Sequence, residues 1–206
     1  MENRVRNRRG QGALLRDEIV RAAVDLLDES GDERTLTLRS IARRAGIAAP
    51  SIYAHFPDQP AVMLAVVRSA FAELTVALST ALDAAGDDPA ARLHAICHAY
   101  LDFARTHPQR YRTMFGGLWI PVLGESSVTE QDLVELGADC LGLLGEAFAG
   151  CVAAGISTST DPATDTIALW LGLHGLAHQR AATRIFPGPP GIDDRMVTTL
   201  ARLRES

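Results

Sequence analysis

The 206-residue sequence predicts an all-α protein of two parts, a three-helix head and a six-helix body. Three observations lead there. Apolar residues recur at three- and four-residue spacing along almost the whole chain, the period of a helix that buries one face. Alternating runs of β-branched residues, the mark of strands, are absent. The breaks between periodic stretches carry helix stops and starts: Gly31, Gly46, GDDP, HP, STSTDP and PGPPG. Glycine leaves a helix at such places and Asp or Pro opens the next.

Taken in order, the first helix spans roughly 14–30, with Ile19, Ala23, Leu26 and Leu27 on one face and Gly31 as its stop. The second covers 38–45, with Leu38, Ile41, Ala42 and Ala45 inward, and the third covers 50–56. Asp58 caps the fourth, where Pro60 is harmless in the first turn, and that helix reaches about residue 85. The fifth runs from 89 to 106, and His107–Pro108 opens a sixth that ends at 115. GGLWIPVLGESS is a loop. A seventh helix is expected from Thr129 to about Gly155, an eighth from Asp161–Pro162 to about Phe186, and a ninth from 193 to about 204. No segment repeats.

Composition is that of a chain with a sizeable core: 47% apolar and 22% charged. The net charge of −5 excludes general attraction to polyanions, but its distribution is uneven. There is no lysine; all 20 basic residues are arginine. Residues 1–60 sum to +1 and the remainder to −6, and between Arg34 and Pro57 four arginines stand without an acid. A basic island on an acidic body is the footprint of a nucleic-acid-reading module. Cys97, Cys140 and Cys151 form no CxxC pair and read as free thiols of a reducing cytoplasm. Arg4, Arg6, Arg8 and Arg9 imitate the start of a secretory leader, but Arg16, Asp17 and Glu18 interrupt what would be its apolar core. No uncharged apolar stretch reaches the roughly 18 residues of a membrane span. The expectation is a cytoplasmic protein with no membrane partner.

The most specific segment is Thr37–Phe56, TLRSIARRAGIAAPSIYAHF. Gly46 suits a left-handed residue that ends one helix in a tight turn. Pro50 suits the first turn of the next, where no backbone donor is needed. Ile52 and Phe56, four apart, anchor that helix to a core. Ala49, Pro50, Ser51, Tyr53 and His55 are then left to face a DNA duplex: Tyr53 and His55 toward phosphates, Ser51 toward a base edge or phosphate, and Ala49 and Pro50 toward a thymine methyl. Thr37 and Arg39 can reach a phosphate from the start of the second helix, Arg39 also a guanine. Arg43 and Arg44 add charge, and the arm RVRNRR can track the backbone or a minor groove.

On these residues, 13–64 resemble the N-terminal domain of the tetracycline-repressor (TetR) family of transcriptional regulators. The resemblance implies an N-terminal helix-turn-helix DNA-binding domain over residues 1–58, with a disordered basic arm at 1–12 and the helix-turn-helix at 38–56. It implies an effector-binding and dimerisation domain over 59–206. It also implies DNA contacts at Thr37, Arg39, Ala49, Pro50, Ser51, Tyr53 and His55. The chain departs from the family at Gln59, where a phosphate-gripping lysine is usual, and at Ala49, often polar in relatives. Residues 90–186, with YLDFARTHPQRYRTMF and the WLGLHGLA stretch holding Trp170, His174 and Gly175, resemble a Trp-His-Gly (WHG) C-terminal subtype.

A two-fold DNA site requires two heads, so the body is expected to form a homodimer through its last two helices. The eighth is apolar almost all round, and Gly172 and Gly175 permit close approach. Candidates for a small-molecule effector pocket are Tyr100, Phe103, Tyr111, Met114, Phe115, Trp119, Phe148, Trp170 and His174. Two histidine pairs, His94/His98 and His174/His178, have the four-residue spacing of metal ligands, but no HExxH occurs and no carboxylate is spaced along the chain to complete either pair. No metal site and no cofactor are expected. The predicted function is a ligand-responsive regulator, most often a repressor, of pseudo-palindromic double-stranded operator DNA. The alternatives are a helical enzyme, for which no nucleophile elbow, P-loop or dinucleotide turn is present, and a helical interaction module without DNA binding.

Overall fold

The computed structural model describes residues 11–117, 119, 121–183 and 188–204. Among them lie ten α-helices: α1 (Gln11–Ser30), α2 (Leu38–Arg44), α3 (Ala49–Ile52), α4 (Gln59–Ala84), α5 (Pro89–Thr106), α6 (Pro108–Phe115), α7 (Glu130–Val134), α8 (Ala138–Ala153), α9 (Pro162–Ala182) and α10 (Ile192–Leu200). A 3-10 turn covers Glu33–Thr35. The expected all-α architecture is the one observed.

Three elements differ from the sequence expectation. The first helix begins at Gln11, so the last two residues of the expected arm are helical, while residues 1–10, which hold RVRNRR, lie outside the described residues. The third helix closes after Ile52 instead of reaching Phe56. Its continuation tightens, with the His55 N–H donating to the Ile52 carbonyl at 3.0 Å in an i→i−3 bond. Pro57 supplies the reason, because the residue before a proline is pushed out of the helical region. The expected seventh helix is two, α7 and α8, parted at Gly137 (φ +75°). A Cβ there would stand 2.6 Å from Cε1 of Phe71, so glycine is what lets that ring approach.

The chain packs as two compact units. One takes the residues up to Ser69 together with Arg112–Leu136; the other takes Ala70–Tyr111 and Gly137–Ser206. The sequence division at residue 58 and this packing division are drawn in different places, since the first turns of α4 pack with the head. In the first unit Ile19, Ala23, Leu27, Leu36, Ile41, Ile52, Phe56, Val62 and Met63 form one buried core, which joins α1, α2, α3 and the start of α4. In the second unit α5 packs against α8, α9 and α10, and α9 packs against α8 and α10. Its core holds Leu93, Ile96, Phe148, Leu169, Leu173 and Val197. The C-terminus is tied in by an antiparallel bridge between Ser157 and Leu203, with the Ser157 hydroxyl donating to the Ala201 carbonyl at 2.7 Å.

α4 is the one described helix long and apolar enough to cross a membrane. Half of that stretch is buried, and two of the three charged residues of α4 are paired within their units: Arg68 with Asp132 at 2.8 Å, and Glu73 with Arg110 at 3.2 Å. Those are the features of a core helix.

Candidate nucleic-acid interface

The turn between α2 and α3 is closed by backbone bonds that the sequence dictates. Thr37 caps α2: its hydroxyl accepts from the Ser40 N–H at 3.1 Å, and the Ser40 hydroxyl accepts from the Thr37 N–H at 3.0 Å. At the other end Gly46 takes φ +67°. The Ile47 N–H then reaches back to the Ala42 carbonyl at 3.0 Å and the Gly46 N–H to Arg43 at 3.3 Å. That pair of bonds is the Schellman closure, which needs a left-handed residue at its hinge. Ile47 packs on the head core just beyond it. Ile52 and Phe56 are 0% and 1% exposed, so they fix α3 in place. Burial of each is worth about 1.5–3 kcal/mol. Arg16 lies over the Phe56 ring, its guanidinium carbon 4.8 Å from the centroid.

With those anchors inward, Thr37, Arg39, Pro50, Ser51 and Tyr53 are exposed, and Ala49 and His55 are half-buried. Tyr53 is 59% exposed, a large value for an aromatic side chain on a well-packed unit. Arg39 and Arg43 are exposed and have no ion pair among the described residues. Arg44 differs: it forks onto Glu29 of α1 with bonds of 2.9 and 2.5 Å. The Arg44 contact holds the Glu29 carboxyl below its usual range. So one of the arginines expected to supply free charge instead ties α2 to α1.

Sequence reading missed what braces this unit from far along the chain. Asp58 caps α4 by accepting from the Ala61 N–H at 2.8 Å, and the same carboxylate accepts from the Ser127 N–H at 2.7 Å and the Ser127 hydroxyl at 3.1 Å. Burial alone would raise the Asp58 pKa, but the Ser127 and Ala61 N–H groups and the Ser127 hydroxyl outweigh it and hold the carboxyl below its ordinary range. Arg112 donates to the Gly31 carbonyl at the end of α1. Asp132, within the Thr129 capping box, pairs with Arg68. Trp119 packs on the head core and lines a cleft of about 300 Å³ with Gln59, Pro60, Met63, Pro121 and Val122, where its indole N–H is buried with no partner among the described residues.

The nine effector-pocket candidates divide between the two units. Met114, Phe115 and Trp119 fall in the first unit, the other six in the second. Four of the six form a cluster. The Tyr100 and Tyr111 hydroxyls lie 3.1 and 3.0 Å from Nδ1 of His174, and Trp170 stacks on the His174 ring at 5.4 Å. Burial lowers the His174 pKa, with His178 adding to the effect, and burial raises those of both tyrosines. The cluster is therefore neutral: two phenols around an uncharged imidazole. Phe103 is buried and stacks on His107 at 4.8 Å, and Phe148 is fully buried in the core. Cys97 and Cys151 are buried thiols whose pKa values burial pushes up to about 12 and about 11, which leaves them unreactive.

The histidine pairs also separate. Asp194, on the first turn of α10, brings a carboxylate to His94 and His98: its Oδ1 lies 3.2 Å from His94 Nδ1 and 2.7 Å from His98 Nε2. This corrects the expectation that no carboxylate completes that pair. The partner comes from about a hundred residues away, where spacing along the chain carries no signal.

Comparison with known proteins agrees with this geometry. Residues 19–66 match the family described as bacterial regulatory proteins, tetR family, and residues 93–203 match the tetracyclin repressor-like C-terminal domain. The HTH-type transcriptional regulator BetI of Stenotrophomonas maltophilia (strain R551-3) is 30% identical over 95 residues, 46% of this chain and 48% of that protein. The chain thus spans about half the length of the curated relatives it matches. A protein of unknown function from Rhodococcus sp. RHA1 has a structure similar at TM-score 0.72, with 27% identity over 98% of this chain and 95% of that one. The fatty acid degradation regulator FadR from Bacillus halodurans shares the fold at TM-score 0.68, with 16% identity over 90% and 97% of the two chains. The WHG resemblance, carried by the YLDFARTHPQRYRTMF and WLGLHGLA stretches, is not singled out by these matches.

Proposed function

Because this chain belongs to the TetR family of bacterial transcriptional regulators, we propose that it binds a pseudo-palindromic operator in double-stranded DNA as a homodimer, most often as a repressor, and releases it on binding a small effector. The observation that carries the reading is the exposed face of the α2–α3 turn. Tyr53, Ser51, Pro50, Arg39 and Thr37 point to solvent there, and the anchors Ile52 and Phe56 are buried behind them. In this reading Arg39, Tyr53 and His55 grip phosphates, Ser51 reads a base edge or phosphate, and Ala49 and Pro50 touch a thymine methyl. The boundary of the DNA-binding domain at residue 58, the localisation in the cytoplasm and the absence of enzymatic activity belong to the same proposal.

The test is fluorescence anisotropy of the full chain with a labelled random duplex across a salt series. The expected result is binding at low salt that weakens linearly in log–log form as salt rises. Arg39→Ala should lower affinity across sequences and reduce the slope by about 1, the share of one released counterion. No binding at any salt would favour an interaction module.

The second copy is assigned to α9. Ile167 and Leu171 are exposed at 41% and 55%, four residues apart, and Gly175 one turn further has open space where a Cβ would stand. An apolar stripe ending in a bare glycine suits a close-packed helix of a second chain. Gly172 serves a different partner: a Cβ there would meet Leu200 Cδ1 of α10 at 2.6 Å, so that glycine admits the chain's own last helix.

For the effector, the neutral Tyr100–Tyr111–His174 cluster beside Trp170 suits an uncharged molecule with an aromatic or apolar body and one hydrogen-bonding group. The chain passes between the units within α4, within α6, where Tyr111 and Arg112 are consecutive, and at Leu136–Gly137, and the two helices are the natural carriers of the response. Coupling of about 1–3 kcal/mol is enough to release DNA. A screen by thermal shift checks this: any compound that raises the melting temperature by binding at this cluster should lower DNA affinity, and Tyr111→Phe should weaken its binding. A compound that binds there and leaves DNA affinity unchanged contradicts the assignment.

A further inference from the structure

We propose that His94, His98 and Asp194 form a three-donor site for a divalent transition-metal ion of the Zn2+ class, with water completing a four-coordinate shell. The inference stands apart from the DNA-binding reading, because it rests on side chains of α5 and α10 alone.

The helix period of α5 buries Leu93, Ile96, Cys97, Tyr100 and Leu101, which places His94 and His98 together at the edge of that stripe, one turn apart. Against them α10 presents its first turn. Asp193 turns to Arg180 at 3.5 Å, and Asp194 alone faces the histidines. The three donor atoms lie within 4.8 Å of one another. Metal–donor bonds of about 2.0–2.2 Å in a tetrahedron require donors about 3.3 Å apart. The 3.2 Å from Asp194 Oδ1 to His94 Nδ1 meets that spacing, and the 2.7 Å ion-pair contact with His98 Nε2 opens to it with a small rotation. Side-chain exposures of 26% for His94, 43% for His98 and 56% for Asp194 leave room for entry and for a water ligand.

The donor set decides the class of ion. Two imidazole nitrogens and one carboxylate oxygen suit Zn2+, Co2+, Ni2+ or Cu2+; Mg2+ and Ca2+ favour shells made of oxygen. A bound ion would join the first turn of α10 to the middle of α5.

The test uses the full chain stripped with EDTA and titrated with CoCl2, then ZnCl2. The expected result is one Co2+ per chain with the intense visible absorption of a four-coordinate ion, lost when Zn2+ displaces it, and a higher melting temperature with Zn2+. His98→Ala and Asp194→Asn change a half-buried and an exposed side chain outside the α5 core stripe, so both should melt like the parent without metal and should each bind Zn2+ at least about tenfold more weakly. His178→Ala, in the other histidine pair, should bind as the parent does. Absence of a stoichiometric Co2+ band overturns the proposal and leaves a hydrogen-bonded cluster only. Equal titrations for the parent and both ligand variants overturn it too, because the ion is then held elsewhere.

Discussion

Asp58 shows how much one side chain can do at the start of α4. It caps α4 through the Ala61 N–H and holds Ser127 through two further bonds, and its carboxyl lies below the ordinary range as a result. A carboxylate whose folded pKa is depressed stabilises the fold above its unfolded pKa of about 3.9. That contribution is lost as pH falls through the lower, folded value. Asp58→Asn should therefore lower the melting temperature at neutral pH, and the gap to the parent should narrow as the solution is acidified below pH ~3.9. Thermal melts at stepped pH check this; a gap that stays constant into strong acid contradicts it. The exposed side chains of the α2–α3 turn were legible because exposure follows from the helix period: once Ile52 and Phe56 are assigned inward, Tyr53 and Ser51 must point out. The partners of Asp58, Arg112 and Arg44 were not, since a contact made across 15 to 81 residues leaves no local pattern.

At the scale of elements, the helices with chemical stops were readable and those ended by packing were not. α5 begins where Asp88 and Pro89 say it should, and α9 where Asp161 and Pro162 do. The break at Gly137 was hidden because a single glycine inside an apolar period costs only about 1 kcal/mol and does not by itself end a helix. At that glycine the backbone turns left-handed, and the Phe71 ring occupies the space of the missing Cβ. Gly137→Ala must pay both a left-handed backbone, about 1–2 kcal/mol, and the displacement of that ring. The expected result is a loss of about 2–4 kcal/mol in chemical denaturation. A loss below about 1 kcal/mol would mean that α7 and α8 join without cost.

At the scale of the whole molecule, the fold class and the family were legible in the sequence, because helical periodicity and the TLRSIARRAGIAAPSIYAHF string are local properties. The three-donor cluster was not, since it needs residues from separated helices; Tyr100, Tyr111, Trp170 and His174 were named from the sequence, but not which of the nine candidates would meet. The dimer is the proposal that belongs to this scale. Replacing an exposed apolar residue of the α9 stripe with a charge buries that charge in a two-fold interface twice over, once from each copy. Leu171→Glu should turn a dimer into a monomer in sedimentation at micromolar concentration while the melting profile of the isolated chain changes little, because Leu171 is 55% exposed. A variant that sediments like the parent places the interface elsewhere.

The central claim is that the face built on Tyr53 and Arg39 reads duplex DNA two-fold. Selection of bound sequences from a random duplex library by the full chain tests it most directly. The account predicts enrichment of a pseudo-palindrome whose half-sites are centred about 34–36 Å apart, or a multiple of one helical turn, with enrichment lost in Tyr53→Ala. Recovery of no common sequence, or of the same sequence by Tyr53→Ala at equal strength, would contradict it.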